Sequence, residues 1–262
     1  VVHRINECDE RKGTRGMNFR LRLANYTADH TVFIASWLRD LAVWRRETPD
    51  SVIHNGADAR IFHRQGFVPW AGAGPIRFVT HHWGAHELKG FDVYRKFDQL
   101  LDDPQWRLRF SFTYVGNAPT TAELRNVRFV APLDGEALAT EIRSHHAYLT
   151  ASINEPGGAH HVEGAMSGLP LLFRRSGALP EYCGPYGVGF DGPHDIESAL
   201  AHFIASYAEQ AAKMSSYPYT AALTTSRWIA LLEDLVARRA PIAARRRLWR
   251  DPIAFAFNQL PL

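Results

Sequence analysis

Along most of this chain, short apolar runs alternate with longer stretches in which apolar positions recur every three or four residues. The short runs have strand length, and the longer ones have the period of a helix with one buried face. Residues 1–5 read as a strand, 18–28 as a helix and 31–35 as a strand. Ser36 then caps a short helix to about residue 43, and 51–53 gives another short strand. From residue 76 the alternation becomes regular. Strands are expected at 76–80, 108–115, 127–130, 147–150, 171–173 and 188–190. Helices are expected at 91–101, from the cap Asp134 to about 145, and at 159–167, ended by Gly168. Beyond residue 195 the pattern is largely helical. Leu200, Phe203 and Ile204, and later Trp228, Leu231, Leu232 and Leu235, have the spacing of helices packing on a sheet. Strands joined by helical crossovers define an α/β protein with parallel sheets covered on both faces.

The stretch 65–75 holds three glycines and two prolines and is the natural linker between two units. The first five residues read as the middle of a strand, so the start of an N-terminal domain is expected upstream of them. With 262 residues the chain suits one or two domains. A net charge of +3 permits an anionic ligand without demanding nucleic acid, and the basic residues lack the interleaved aromatics of a strand-binding groove. Cys8 and Cys183 are the only cysteines, and they lack a partner pattern, which points to a reducing, cytoplasmic setting. No apolar run approaches the roughly 20 residues of a membrane span.

The chemistry concentrates in the segment Asn154 to Pro170, where Glu155 and Glu163 flank a Pro-Gly-Gly turn and the start of a helix. Carboxylates accept from hydroxyls, while the free N–H groups and positive dipole end of a helix start attract phosphate. A ligand with hydroxyls at both ends and phosphate between them, such as a sugar nucleotide, suits that layout. At Gly157 and Gly158 a Cβ would keep such a ligand off the backbone. Lys89, Gly116 and Glu155 each follow an expected strand, so all three should line one rim of the sheet. A lysine at a helix start is unfavourable against the dipole, which favours Lys89 facing an anion. The doublets His81-His82, His145-His146 and His160-His161 do not define a metal site, because neighbours on a strand point to opposite faces. His82 and His160 are instead candidates for the phosphate region. Arg4, Asn6, Asp9, Glu10 and Arg11 follow the first strand and are candidates for an acceptor-facing loop. Arg245-Arg246-Arg247 is a candidate contact with an anionic membrane surface, where each basic residue is worth about 1 kcal/mol.

Four segments, in order, resemble the retaining glycosyltransferases of family 4. They are Val52-Ile53-His54-Asn55-Gly56-Ala57-Asp58, then Lys89-Gly90, then Glu155 to Glu163 with the following Gly164-Ala165-Met166-Ser167-Gly168-Leu169-Pro170, then Ser176-Gly177-Ala178-Leu179-Pro180-Glu181. The resemblance covers about residues 1–190. It implies the two-domain GT-B fold, with two Rossmann-like domains of which the N-terminal one is incomplete. Residues 1–64 would be the latter part of the acceptor-side domain, 65–75 the linker, 76–240 the donor-binding domain, and 241–262 a C-terminal helix and tail.

By the same resemblance the activity is sugar transfer from a nucleotide sugar to an acceptor hydroxyl with retention, in polysaccharide, lipopolysaccharide or glycoconjugate synthesis. Glu155 and Lys89 would carry the catalytic roles. Glu163 would take the ribose hydroxyls, with Gly157, Gly158, His160, Gly116 and His82 around the donor. Neither metal nor cofactor is implied, and the acceptor would be a saccharide or a lipid-linked one at the inner membrane face. The family usually carries a Gly-Arg pair shortly before the lysine, and here Thr80-His81-His82-Trp83-Gly84 has no arginine. A donor-binding module without turnover, or an epimerase or phosphorylase on the same architecture, stays open.

Overall fold

The computed structural model describes residues 1–245. Arg246, Arg247 and the expected tail lie outside the described residues. The strands are β1 (Val2–Ile5), β2 (His30–Phe33), β3 (Asp50–Val52), β4 (Ile76–His82), β5 (Phe110–Gly116), β6 (Arg128–Val130), β7 (Ala147–Thr150), β8 (Leu171–Arg174) and β9 (Gly187–Phe190). The helices are α1 (Met17–Ala24), α2 (Phe91–Leu100), α3 (Pro104–Arg107), α4 (Gly135–Arg143), α5 (Ala159–Met166), α6 (Leu179–Cys183), α7 (Ile196–Ala205), α8 (Tyr207–Lys213), α9 (Ala221–Ala237) and α10 (Arg239–Arg245).

Strands β1, β2 and β3 pair in parallel, in that order, as a small sheet. The larger sheet is also parallel and runs β6-β5-β4-β7-β8-β9. The chain thus moves outward from β4 to β6, returns to the middle, and moves outward again from β7 to β9. A crevice for ligands lies beyond the carboxyl ends of strands where that direction reverses, here β4 and β7.

Alternation along β4 explains the layering. Ile76 and Phe78 enter a core shared with Phe91, Tyr94 and Phe97 of α2 and Phe203 of α7. Val79, on the opposite face, joins Tyr148, Leu138, Val162 and Ala165 in a second core. Both faces are covered, so these strands read as near-continuous apolar runs. Each fully buried Phe contributes about 1.5–3 kcal/mol. The small lobe has its own core of Ile5, Phe33, Ile34, Leu38, Val43 and Trp44.

Several local expectations change. Helix α1 ends at Ala24 and tightens into a 3-10 turn, Asn25–Thr27, where the buried Asn25 side chain donates to Thr31 Oγ1. Ser36 opens a 3-10 turn rather than an α-helix, and does not cap it. Its N–H and hydroxyl both donate to Glu181 Oε2, each at 2.7 Å. Asp134 stands at the start of α4 without a side-chain capping bond. Leu108 is 76% exposed at the end of α3, and β5 begins at Phe110.

Leu200 and Phe203 are buried as their spacing requires, but α9 has no buried residue. Trp228, Leu231, Leu232 and Leu235 enter none of the three cores, so their period identifies a helix but not a sheet partner. The start of α9 instead meets the small lobe. Ala221 N–H donates to Ala57 O at 2.8 Å, and Thr224 Oγ1 donates to His54 O at 2.8 Å. Among the described residues no helix is long and apolar enough to cross a membrane.

Candidate functional site

Lys89 ends a 3-10 turn just before α2, and Glu155 stands in the loop after β7. The segment Ser176–Glu181 shapes that loop through the Ser176 hydroxyl and the Ala178 backbone N–H. Asn154 N–H donates to Ser176 Oγ at 2.9 Å, and Ala178 N–H donates to Glu155 O at 2.8 Å. Lys89 Nζ donates to Glu155 Oε2 at 2.9 Å, with Lys89 7% and Glu155 2% exposed. Burial pushes the Glu155 carboxyl up, but the Lys89 ammonium, the nearby Arg11 and the hydrogen bond from Lys89 outweigh it. The net direction is down, so the carboxyl is held ionised beside its cation.

Helix α5 begins four residues beyond Glu155. Gly158 stands at its cap in an extended conformation, and no side chain caps the helix start. Its first N–H groups are therefore available to an oxygen-rich ligand. A Cβ on Gly158 would lie 2.8 Å from Glu155 Oε1 and 2.8 Å from His160 Nδ1, so the absence of a side chain lets the carboxylate lie over the helix start.

The histidines sort by parity, as neighbours on a strand must. His82 Nε2 meets Tyr94 Oη at 2.7 Å, whereas His81 Nε2 meets Glu163 Oε2 at 2.7 Å. On α5, His160 Nε2 pairs with Thr150 Oγ1 at 2.9 Å, and the His160 and His82 rings lie 4.7 Å apart. Neither ring nitrogen of the fully buried His161 has a partner among the described residues. Burial first, then nearby Lys89 and neighbouring histidines, pushes His82 and His160 well below the usual range. Burial pushes His161 down to about 4. These rings are neutral near pH 7, and Lys89 is the cation placed among them.

Gly116 ends β5 opposite His82, with φ of +121°. A Cβ there would lie 2.0 Å from His82 O, so only glycine allows the two strand ends this close. Beside it a small pocket is lined by His81, His82, Trp83, Gly116, Pro132 and Leu133. His81 belongs both to this pocket and to the Glu163 contact.

The small lobe touches the same loop. Asn55 Nδ2 donates to Gly157 O at 2.7 Å, and Asn55 N–H donates to Tyr182 Oη at 2.8 Å. Tyr182 Oη donates to Ile34 O at 2.7 Å, and His54 Nε2 pairs with Glu181 Oε1. The side chains expected to face an acceptor are partly engaged locally. Asp9 accepts from the N–H groups of Gly16, Met17 and Asn18, and Glu10 accepts from Asn18. Arg4 donates to Asn55 Oδ1, and Arg11 pairs with Glu7. Sequence reasoning passed over Tyr148 and Tyr182, which carry no motif, weighed His161 only as half of a histidine doublet, and singled out His82 where His81 is the ring that meets Glu163. The odd-even parity of β4 was the available signal. Among the described residues no three His, Cys, Asp or Glu side chains converge to hold a metal ion.

The two parallel α/β units, with the switch-point rim in the second, define the GT-B fold. Among solved structures, sucrose-phosphate synthase from Thermosynechococcus elongatus matches with a TM-score of 0.65 at 16% identity, over 90% of this chain and 68% of that one. HepE from Anabaena, solved with UDP-glucose, matches with a TM-score of 0.67 at 17% identity, over 89% of this chain and 72% of that one. The pneumococcal O-GlcNAc transferase GtfA, solved with UDP and GlcNAc, matches with a TM-score of 0.58 at 14% identity, over 81% of this chain and 47% of that one. At such identities the likeness establishes the fold. No protein-family profile and no curated sequence matches the chain significantly.

Proposed function

We propose that this protein is a glycosyltransferase that moves a sugar from a nucleotide-sugar donor to an acceptor hydroxyl, with retention of anomeric configuration, as its resemblance to family 4 implies. The observation that carries the reading is the buried Lys89–Glu155 pair beneath the uncapped start of α5, with Glu163 one helical turn further along. The nucleobase enters the pocket beside Gly116, the ribose meets Glu163, the diphosphate lies at the α5 start beside Lys89, and the donor sugar reaches Glu155. In this reading the protein positions donor and acceptor and stabilises charge on the departing diphosphate, which takes the acceptor proton. Solved GT-B relatives holding UDP or UDP-glucose support a nucleotide-sugar donor. The domain division 1–64, 65–75 and 76–240 belongs to the same reading. So do a metal- and cofactor-independent mechanism, a saccharide or lipid-linked acceptor, and a cytoplasmic place at the inner membrane face. The product would serve polysaccharide, lipopolysaccharide or glycoconjugate synthesis.

A thermal-shift screen of UDP-, GDP-, ADP- and TDP-sugars tests donor binding. A donor at about 100 times its Kd adds about 2.7 kcal/mol to stability. A flat response across the panel at millimolar concentration would sink the proposal. With a donor in hand, Glu163→Ala is expected to weaken nucleotide binding about 10–100-fold, the value of a charge-assisted hydrogen bond. Titration calorimetry checks this, and NMR of the product's anomeric proton checks retention.

One observation favours a second reading, a binding module without turnover. Lys89 is already paired, the neighbouring histidines are neutral, and the stretch before Lys89 lacks the family's arginine. Donor binding with neither transfer nor hydrolysis across an acceptor panel would establish it.

A further inference from the structure

Glu163 can hold a ribose only if its carboxylate is aimed, and the structure shows what aims it. Its Oε2 receives one hydrogen bond, from His81 Nε2 at 2.7 Å, while the side chain stays 21% exposed. A carboxylate only accepts, so Nε2 must carry the proton. His81 Nδ1 lies 2.9 Å from Tyr148 Oη, which also accepts from the His81 backbone N–H at 3.2 Å. With that lone pair occupied, the phenolic O–H is free to donate to Nδ1. Tyr148 is fully buried, and its ring packs edge-on against His81 with centroids 5.7 Å apart. Nε2–H to Glu163 with the Tyr148 O–H to Nδ1 is an arrangement of protons that satisfies all three groups.

We propose that Tyr148 and His81 form a positioning relay that turns one oxygen of Glu163 toward His81 and presents the other to the nucleotide ribose hydroxyls. The proposal rests on the reading of Glu163 as the ribose contact. His81 touches no reacting atom, so it is a positioning residue. Its imidazole fixes which way the carboxylate faces and, through that, how sharply the protein separates a ribonucleotide from its deoxy analogue. Glu163 sits on α5 and His81 at the end of β4, so the relay also ties the helix to the strand tip that lines the adjacent pocket.

The test measures binding of UDP, 2′-deoxy-UDP and 3′-deoxy-UDP by calorimetry, with matching ADP and GDP series, to the wild type and to His81→Ala, His81→Gln and Tyr148→Phe. The wild type is expected to prefer a ribonucleotide at least tenfold. His81→Ala should reduce that preference to below about threefold. His81→Gln keeps an N–H donor at the position of Nε2 and should restore most of it. Tyr148→Phe should give an intermediate value, because Nδ1 is then free to take the proton from Nε2. A merely structural role would weaken ribose and deoxyribose forms alike and leave the ratio unchanged, which overturns the proposal. If His81→Ala fails to fold, the ratios of His81→Gln and Tyr148→Phe decide. A wild type that does not separate the forms defeats the ribose reading of Glu163 itself, whereas a wild type that does, with variants that do so equally, defeats the relay alone.

Discussion

Replacing Lys89 by alanine is expected to lower the unfolding free energy by about 3–5 kcal/mol and, under the proposed function, to remove measurable transfer. The ammonium and its partner Glu155 are both almost completely withdrawn from water. Two charges taken out of water lose their hydration, and their mutual attraction roughly offsets that loss while both are present. Deleting the cation leaves Glu155 as an uncompensated buried charge, or forces it to take a proton. The stability linked to Glu155 has a defined sign. Its folded carboxyl titrates below its usual range, so the contribution is complete above about pH 4.3, the ordinary glutamate value, and is lost as pH falls through the folded value. The double variant Lys89→Met with Glu155→Gln should lose much less stability than the two single losses combined, because it leaves no orphaned charge. Urea unfolding of the wild type, Lys89→Ala, Lys89→Met, Glu155→Gln and the double variant at pH 7.5 decides the matter. A loss below about 1 kcal/mol for Lys89→Ala would mean that the pair opens freely to solvent.

Acidification from pH 7.5 to 5 is expected to destabilise the protein well before any carboxylate titrates. His82, His160 and His161 are held neutral by burial, whereas in the unfolded chain they take protons near pH 6.5. A depressed folded value means that stability is complete above about pH 6.5 and falls as pH drops toward the folded value. Each pH unit in that window is worth about 1.4 kcal/mol per ring. His161, with a folded value of about 4, therefore accounts for about 2 kcal/mol by pH 5 and about 3 kcal/mol by pH 4. Its two ring nitrogens lack partners, so His161→Phe should leave stability at pH 7.5 unchanged or raise it by up to about 2 kcal/mol. The same variant should lose less on acidification. Chemical unfolding at both pH values checks this, and an unchanged pH 5 loss in His161→Phe would refute the assignment.

Much of the architecture could be read from the sequence because parallel strands buried on both faces appear as apolar runs, as the central β4, β5, β7 and β8 do. Strand order could not. Nothing in the spacing of β4, β5 and β6 says that β7 returns to pair with β4 rather than extending the far edge. Helix α9 shows the same limit from another side. Its period identifies a helix, but Trp228 and Leu231 enter no core, because periodicity describes one surface and not its partner. At the site, Glu155, Glu163, Lys89 and the two glycines stand out through residue type and position after strands. The Lys89–Glu155 pairing spans 66 residues and depends on two loops meeting, which local pattern does not encode. His81 was within reach of a parity argument, since it shares the face of β4 on which Val79 packs with Val162 and Ala165 of α5. The Ser176–Glu181 segment was legible as a motif, but its work of shaping the Glu155 loop, through the Ser176 hydroxyl and the Ala178 N–H, depends on two distant loops meeting.

Gly157 and Tyr182 are stitched to Ile34 and Asn55, and Glu181 is stitched to Ser36 and His54, at the place where a donor would settle. Each such bond is worth about 1 kcal/mol net. Parting the lobes therefore tugs on the Gly157 carbonyl two residues from Glu155, and a guest that needs more room must first unfasten them. Under the proposed function, capture of the donor and the angle between the lobes would be a single linked equilibrium, in which whatever grips the small lobe also retunes the grip of the large one.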